Sequence, residues 1–397
     1  MSVAIRTPPA AAASVRVASI DVLRGIAVVL MAIDHVRVFS GLPAGGPNPG
    51  IFFTRWVTHF VAPIFIFLAG TAAYLHGRRL GDRGKLSRFL LARGLLLIVL
   101  ELTVVRLFWT FNFDYAQYML AGVIWVIGWS MIVLAGLVHL PTRAIAAFGI
   151  AIMAGHNLMD FVARPHLDAI RASSASWLWG IGYFAFEVDG LGPLVVLYAL
   201  VPWVGVMAAG YAFGPIFELE AESRRRLCVW LGGAAIVSFV VLRALAVYGD
   251  PRPWHPGPTL LPTIFSFLNT AKYPASLLFL LMTLGPAILL LPFLERPKNQ
   301  VARALEVFGR VPMFYYLLHI PLIHLLAIAM SVARTGTVSP WLFENHPMGT
   351  PPAPPGDVWR VWQLYLVTAV AVALLYIACR WYAEIKRTSR NRLLSYL

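Results

Sequence analysis

Ten stretches of this 397-residue chain are apolar enough and long enough to cross a lipid bilayer, near 20–40, 52–75, 88–110, 117–139, 144–162, 193–214, 226–248, 273–294, 307–332 and 360–383. A hydrocarbon layer of about 30 Å needs about 20 residues of helix, so each run meets the length requirement. Little else can be built from such a chain. Lipid offers no partner to backbone N–H and C=O groups, which leaves helices and closed barrels as spanning structures. Composition agrees: 59% of residues are hydrophobic and 13% charged, against about 45–50% and about 25% in soluble domains. The expected fold class is therefore all-α, a polytopic transmembrane bundle of about ten spans. The weakest runs are the fifth, with His156, Asn157 and Asp160, and the ninth, with Pro312 and Pro321. Pro63, Pro202 and Pro286 interrupt other spans, as happens where neighbouring helices or a cavity satisfy the freed backbone.

The net charge of +14 does not point to nucleic acid, because the basic residues sit between apolar runs rather than on one soluble face. They set orientation instead. Arg78, Arg79, Arg83, Lys85 and Arg88 follow the second run, Arg224 to Arg226 follow the sixth, and Arg296, Lys298 and Arg303 follow the eighth. Lys386, Arg387, Arg390 and Arg392 close the chain. All fall on one side when both termini are cytoplasmic, as the positive-inside rule requires. The domain reading is a disordered cytoplasmic tail over 1–18, a membrane domain over 19–386 and a basic cytoplasmic tail over 387–397. No leucine-rich core precedes residue 19, so no cleaved signal peptide is expected. Cys228 and Cys379 imply neither a disulfide framework nor a metal site. Two long outer links remain. The one over 163–192 carries Trp177, Trp179, Tyr183 and Phe184 and suits the interface; the Pro-rich one over 333–359 is expected to be irregular.

Ionisable residues at membrane depth are costly and point to function. The first run holds Asp21, Arg24, Asp34, His35 and Arg37. Asp21 to His35 covers about 21 Å of helix, with Asp21, Arg24 and His35 on one broad face. The second run brings Arg55 and His59, the third Glu101 and Arg106, and the seventh Arg243. Asn269 and Lys272 precede the eighth, and the ninth holds Arg310, Tyr315, Tyr316, His319 and His324. A single helical histidine more often bonds a neighbour than performs catalysis, and His324 is read that way. His35 and His59, with Asp34 beside them, form the expected catalytic group, since an imidazole and an orienting partner are what proton transfer needs. Arg37, Arg55, Asn269, Lys272 and His319 are the expected substrate-binding residues. Arg24, Arg88, Arg93 and Arg310 form a basic inner mouth suited to phosphate. No metal-ligand spacing, phosphate loop or nucleophile elbow is found.

The run Ser19-Ile20-Asp21-Val22-Leu23-Arg24-Gly25, closed by Met31-Ala32-Ile33-Asp34-His35, resembles the opening of the bacterial branch of the heparan-α-glucosaminide N-acetyltransferase family. Thr54-Arg55-Trp56-Val57-Thr58-His59 with Ala62-Pro63, and Phe67-Leu68-Ala69-Gly70, resemble its second span. Pro202-Trp203-Val204-Gly205, Asn269-Thr270-Ala271-Lys272-Tyr273-Pro274 and Phe308-Gly309-Arg310-Val311-Pro312 with Tyr316 and His319 continue the likeness. It implies a multi-pass enzyme of the bacterial inner membrane that takes an acyl group, acetyl in that family, from cytoplasmic acetyl-CoA. The acceptor would be a glycan or sugar on the far side, and a homodimer is compatible with this reading. Where the lysosomal branch has an asparagine at the end of the first span this chain has His35, and where it has an aspartate early in the second this chain has His59. The competing readings are a transporter or flippase of an envelope precursor, which also uses buried charge and broken helices, and a non-catalytic scaffold.

Overall fold

A computed structural model describes residues 17–46, 48–163, 184–188, 191–296, 299–344 and 351–389. Helices dominate. In chain order they are α1 (Ala18–Phe39), α2 (Pro49–Val57), α3 (Val61–Leu80), α4 (Arg83–Leu100), α5 (Arg106–Thr110), α6 (Val123–Leu137), α7 (Thr142–Gly155) and α8 (Leu158–Ala163). They continue as α9 (Leu200–Phe213), α10 (Ala221–Leu245), α11 (Leu260–Leu268), α12 (Leu277–Leu290), α13 (Gln300–Arg310), α14 (Pro312–Thr335) and α15 (Val361–Thr388). Residues 1–16 of the tail expected over 1–18, residues 390–397 of the tail expected over 387–397, Lys298, and most of the 163–192 link, including Trp177, Trp179 and Tyr183, lie outside the described residues.

Among the described residues, seven helical segments are long and apolar enough to cross a membrane: Pro49–Leu80, Thr142–Phe161, Leu200–Glu218, Ala221–Leu245, Leu277–Leu294, Pro312–Thr335 and Val361–Thr388. The other three expected spans are helical too, and each falls short for a visible reason. α1 carries Asp21, Arg24, Asp34 and Arg37. The third run carries Arg88, Arg93, Glu101 and Arg106, with a π-helical turn at Glu101–Val105 between α4 and α5. The fourth shortens to the 15 residues of α6, because its first residues form a strand.

That strand corrects the all-α expectation locally. β1 (Met119–Ala121) pairs in parallel with β3 (Leu191–Val196), which pairs antiparallel with β2 (Phe184–Val188). Met119 lies opposite Leu194 and Ala121 opposite Val196. Leu120, Ala121 and Val196 are buried. Non-helical backbone is tolerated there because the strands satisfy one another inside the protein.

Burial sorts the helices into layers. α1 is innermost: Ala27, Val28, Ala32, Val36 and Phe39 are fully buried, and α1 packs against α3, α13, α14 and α15. α10 and α15 instead expose large apolar side chains, among them Trp230, Val237, Ile377 and Trp381. That inside-out pattern is what lipid allows.

Among the described residues, five helix pairs meet glycine to glycine or glycine to backbone. A methyl group on Gly25 of α1 would sit 1.9 Å from the Leu305 carbonyl oxygen of α13, and one on Gly309 would sit 1.7 Å from that of Asp21. Gly70 and Gly210 join α3 to α9, Gly94 and Gly128 join α4 to α6, Gly149 and Gly205 join α7 to α9, and Gly232 and Gly285 join α10 to α12. Lipid supplies no hydrophobic drive between helices, so close backbone packing is the main source of association. Gly309→Val must therefore separate α1 from α13. The expected outcome is a loss of at least about 1–3 kcal/mol, the usual cost of overpacking, read as a lower thermal midpoint in detergent. Gly233→Val, at a position with open space around it, is the matched control.

Candidate active site

The site is organised along α1. Arg24 and Met31 line a cavity of about 410 Å³, and Asp34, His35 and Arg37 line another of about 470 Å³; they are named inner and outer after the orientation expected from the basic links. Eleven residues of helix separate Arg24 from His35, about 16 Å. The two cavities share Val123 and Tyr316, so the wall between them is the start of α6 and one side chain of α14.

The inner cavity has a cationic mouth and an apolar interior. Arg24, Arg79, Arg93, Arg310 and Lys386 line it, with His76, and no carboxylate is among its described lining residues. Deeper in are Met31, Phe65, Leu97, Ile127 and Met313. Arg24 is held by the Leu68 carbonyl at 3.0 Å and by Asp21 at 3.8 Å. Arg310 pairs with Glu306 one turn back at 2.5 Å. Such a site can take phosphate groups at the mouth and a thin apolar chain beyond them.

In the outer cavity, hydrogen bonding assigns the histidine tautomers. His319 is fully buried, and its Nδ1 faces the Tyr316 carbonyl at 2.5 Å and the Tyr315 carbonyl at 3.1 Å. Carbonyls only accept, so Nδ1 carries the proton and Nε2 of neutral His319 is an acceptor. His35 Nδ1 lies 2.7 Å from that Nε2 and must donate to it. The proton-free nitrogen of His35 is thus Nε2, which bonds to no described residue. Trp109 packs edge-on against the His35 ring with centroids 4.9 Å apart. A neutral imidazole fixed in one tautomer, with an available lone pair in a cavity, can act as a base.

Glu101 closes the bottom of this cavity. The π turn re-aims its carboxylate at the start of α6, where it accepts from Ile124 N–H at 2.9 Å and from the Tyr316 hydroxyl at 3.4 Å. Gly122 makes room, since a methyl there would lie 2.5 Å from the Glu101 Oε1. A carboxylate at a helix N-terminus is electrostatically favoured.

A second outer cavity of about 480 Å³ lies beside the first and shares Ala44, Arg55 and Tyr273 with it. Arg55, His59, Arg252, Asn269 and Lys272 line it. The Lys272 ammonium stands 4.0 Å from Asp34, which Arg37 binds more closely at 3.1 Å. Burial, and after it the neighbouring Arg55, pushes the Lys272 pKa down to about 7, against the opposing pull of Asp34.

Two buried arginines build the loops around these cavities. Arg243 donates to the carbonyls of Arg252, Phe267, Ser266 and Asn269 at 2.7–3.2 Å and lies 3.7 Å from Asp250. Arg106 donates to the carbonyls of Tyr118, Asn112 and Asp114. The Pro-rich outer link is ordered where described. Arg334 binds the carbonyls of Gly356, Asp357 and Val358, Trp341 donates to the Pro351 carbonyl at 2.9 Å, and Pro351, Pro352 and Ala353 cover the first outer cavity. Gly41 adopts a φ of +70° beneath it, where a methyl would meet Ala353 at 2.6 Å.

Of the residues singled out from sequence, Arg24, Arg93 and Arg310 come together in the inner cavity, while Arg88 is exposed on α4 and does not line it. Asp34, His35, Arg37 and Arg55 share the first outer cavity. The partner of His35 is His319, not His59; His59 lies in the second cavity against Phe279, with ring centroids 5.4 Å apart. Asp34 engages Arg37 and Lys272 rather than orienting a histidine. Arg79, Lys386, Trp109 and Tyr198 are additional lining residues. Glu101 and Tyr316 stood out in the sequence only as polar groups at depth. His324 bonds the Phe108 carbonyl and stacks on Phe111, the structural role expected of it.

A helical bundle thus holds a cationic cavity and a histidine-bearing cavity that meet at Val123 and Tyr316. The chain belongs to the heparan-alpha-glucosaminide N-acetyltransferase family: the model of that family's catalytic domain matches residues 16–249, more than half of the sequence. It is accordingly a membrane acetyltransferase. No curated protein matches it.

Arg243→Leu leaves four carbonyls and buried Asp250 without their cation. The expected outcome is a loss of about 3–5 kcal/mol, as for other broken buried pairs. Limited proteolysis should then cut within 250–269 faster than in the wild type.

Proposed function

We propose that the protein carries an acetyl group from acetyl-CoA, bound at the cytoplasmic side of the bacterial inner membrane, to an amine or hydroxyl of an envelope glycan on the opposite side. The observation that carries this reading is the sharing of Tyr316 by the two cavities, in a chain of this family. Ten spans with both termini cytoplasmic fit it. The basic links after α3, α9 and α12 then fall together on the inner side, and α1, α4 to α5 and α6 cross as polar or short inner helices.

The inner cavity holds the donor. Arg24, Arg93 and Arg310, joined by Arg79 and Lys386, take the phosphates, and the apolar interior takes the pantetheine arm, whose thioester supplies the activated acetyl group. Tyr316, oriented by Glu101, stands at the boundary. His35 does the proton work. Its Nε2 accepts the proton of the attacking amine or hydroxyl as the new bond to the thioester carbonyl forms. The carbon–sulfur bond then breaks, and the departing thiolate takes the proton back, leaving His35 neutral. His319 receives the Nδ1–H of His35 throughout and stabilises the transient imidazolium. Arg37, Arg55, Asn269 and Lys272 bind the acceptor, with Asp34 arranging the cations and His59 in the second cavity. Transport is disfavoured as the main role by the family.

The test is release of free CoA thiol from acetyl-CoA, dependent on an amino-sugar acceptor, by the purified protein in detergent. His35→Ala should lower kcat by about 10²–10⁴, the usual worth of a general base. His319→Ala, which frees the ring but keeps the base, should lower it less. Unchanged turnover in His35→Ala would remove the proposed centre.

Combined Arg24→Gln and Arg310→Gln should raise the KM for acetyl-CoA at least tenfold, about 1.4 kcal/mol of lost binding. Equal KM values would move the donor elsewhere.

A further inference from the structure

We infer that Val123 and Tyr316 form an acyl-length gauge, a passage between the inner and the first outer cavity that admits an acetyl group and stops a butyryl group. The inference rests on the acetyl-transfer reading above and assigns the limit on donor size to one pair of side chains.

Among the described residues, Val123 and Tyr316 alone line both cavities. An acyl group that leaves the inner cavity for the side of His35 must therefore pass between them. The distance to cover is short. Met31 lines the inner cavity and His35 the outer one, and about one turn of α1 lies between them, about 6 Å of helix. A thioester carbonyl seated at the end of the inner cavity then has its acyl group in the passage itself.

Neither jaw of the passage swings freely. Val123 is the first residue of α6, and a β-branched side chain on a helix has one strongly preferred χ1. Tyr316 is buried, its hydroxyl donates to Glu101 at 3.4 Å, and its ring packs against His319 with centroids 5.4 Å apart. The backbone carbonyl of Tyr316 accepts from His319 Nδ1 at 2.5 Å. The atom of Glu101 that receives the tyrosine hydroxyl is Oε2. The same atom accepts from the N–H of Ile124, next to Val123, at 2.9 Å. One carboxylate oxygen thus pins both jaws.

That pin limits how far the wall can open. Glu101 is buried, and a buried carboxylate that loses a hydrogen bond is left at a cost. A small acyl group passes with the bonds in place. A longer one must either spread the jaws, stretching the bonds to Glu101, or draw its carbonyl back from His35. Either way the donor is seated less well and its carbonyl stands away from the attacking group. Gly122 belongs to the same device, because a methyl there would lie 2.5 Å from Glu101 Oε1 and displace the pin.

The experiment measures glucosamine-dependent release of CoA thiol from acetyl-, propionyl- and butyryl-CoA by the detergent-purified protein. In the wild type, kcat/KM for butyryl-CoA should lie at least about tenfold below that for acetyl-CoA, the discrimination a fitted pocket gives per methylene, with propionyl-CoA between. Val123→Ala should raise the butyryl-to-acetyl ratio at least about tenfold. Tyr316→Phe, which keeps the ring and removes its bond to Glu101, should raise it as well. Ile127→Ala enlarges the inner cavity about one turn along α6 from Val123 and should leave the ratio unchanged. Near-equal use of the two donors by the wild type, a ratio unmoved by Val123→Ala or by Tyr316→Phe, or an equal rise in Ile127→Ala would overturn the gauge and leave the transfer reading standing. If no acyl-CoA supports transfer, equilibrium binding decides. Tighter binding of acetyl-CoA than of butyryl-CoA, abolished by Val123→Ala, would then uphold the gauge and refute the transfer reading. Equal binding by the wild type, or a preference that Val123→Ala keeps, would overturn both.

Discussion

Among the described residues, two buried arginines tie irregular backbone into this bundle. Arg243 and Arg106 spend their guanidinium donors on the backbone carbonyls of loops that enclose the cavities. The constraint behind this is the one lipid imposes on any irregular backbone: polar groups left without water must find partners within the protein. Helices meet it by themselves. The loop over 111–118, and the loop after α10 with the C-terminal end of α11, do not, and each uses one arginine as a common donor. Charge that looked functional by its depth is here structural, and it frees other cations, such as Lys272 and Arg252, to face a cavity.

The same constraint explains how much of the architecture could be read from the chain. Apolar runs of helical length and the placement of Arg and Lys between them announce a membrane bundle without any structure. α1 was legible as well, because its charged residues lie at both ends of one stripe. Less visible was the short sheet. Met119–Ala121 and Leu191–Val196 are apolar, and apolar residues before a helix read as more helix. Pairing between segments more than 70 residues apart turns them into strands, and no local pattern records such a partner.

For the site, residue type was informative and pairing was not. His35, His59 and His319 all signal an outer polar region, but which two meet depends on helix rotation and tilt. His319 reaches His35 because α14 packs against α1, whereas His59 is turned toward Phe279 of α12. Arg88 and Arg93 show the same limit on one helix: five residues apart, they point to different sides, one to solvent and one to the inner cavity. Glu101 is legible only with the fold in hand. Its task depends on a π turn, on Gly122 and on the N-terminus of α6, and these come from two separate runs.

The glycine contacts carry a consequence for how such a protein can move. Where Gly94 faces Gly128, or Gly25 faces Leu305, main chain touches main chain, and at the first crossing Ile98 and Ile132 pack in beside it. A contact of that kind has no rotamers to adjust, so each pair behaves as a rigid plank. Rearrangement must then occur at the seams between planks, where longer side chains meet. Tyr316 stands on such a seam, since α14 carries it against the opening of α6, and among the described residues no glycine contact joins those two helices. The partition between the two cavities is thereby placed where the bundle can yield without being taken apart.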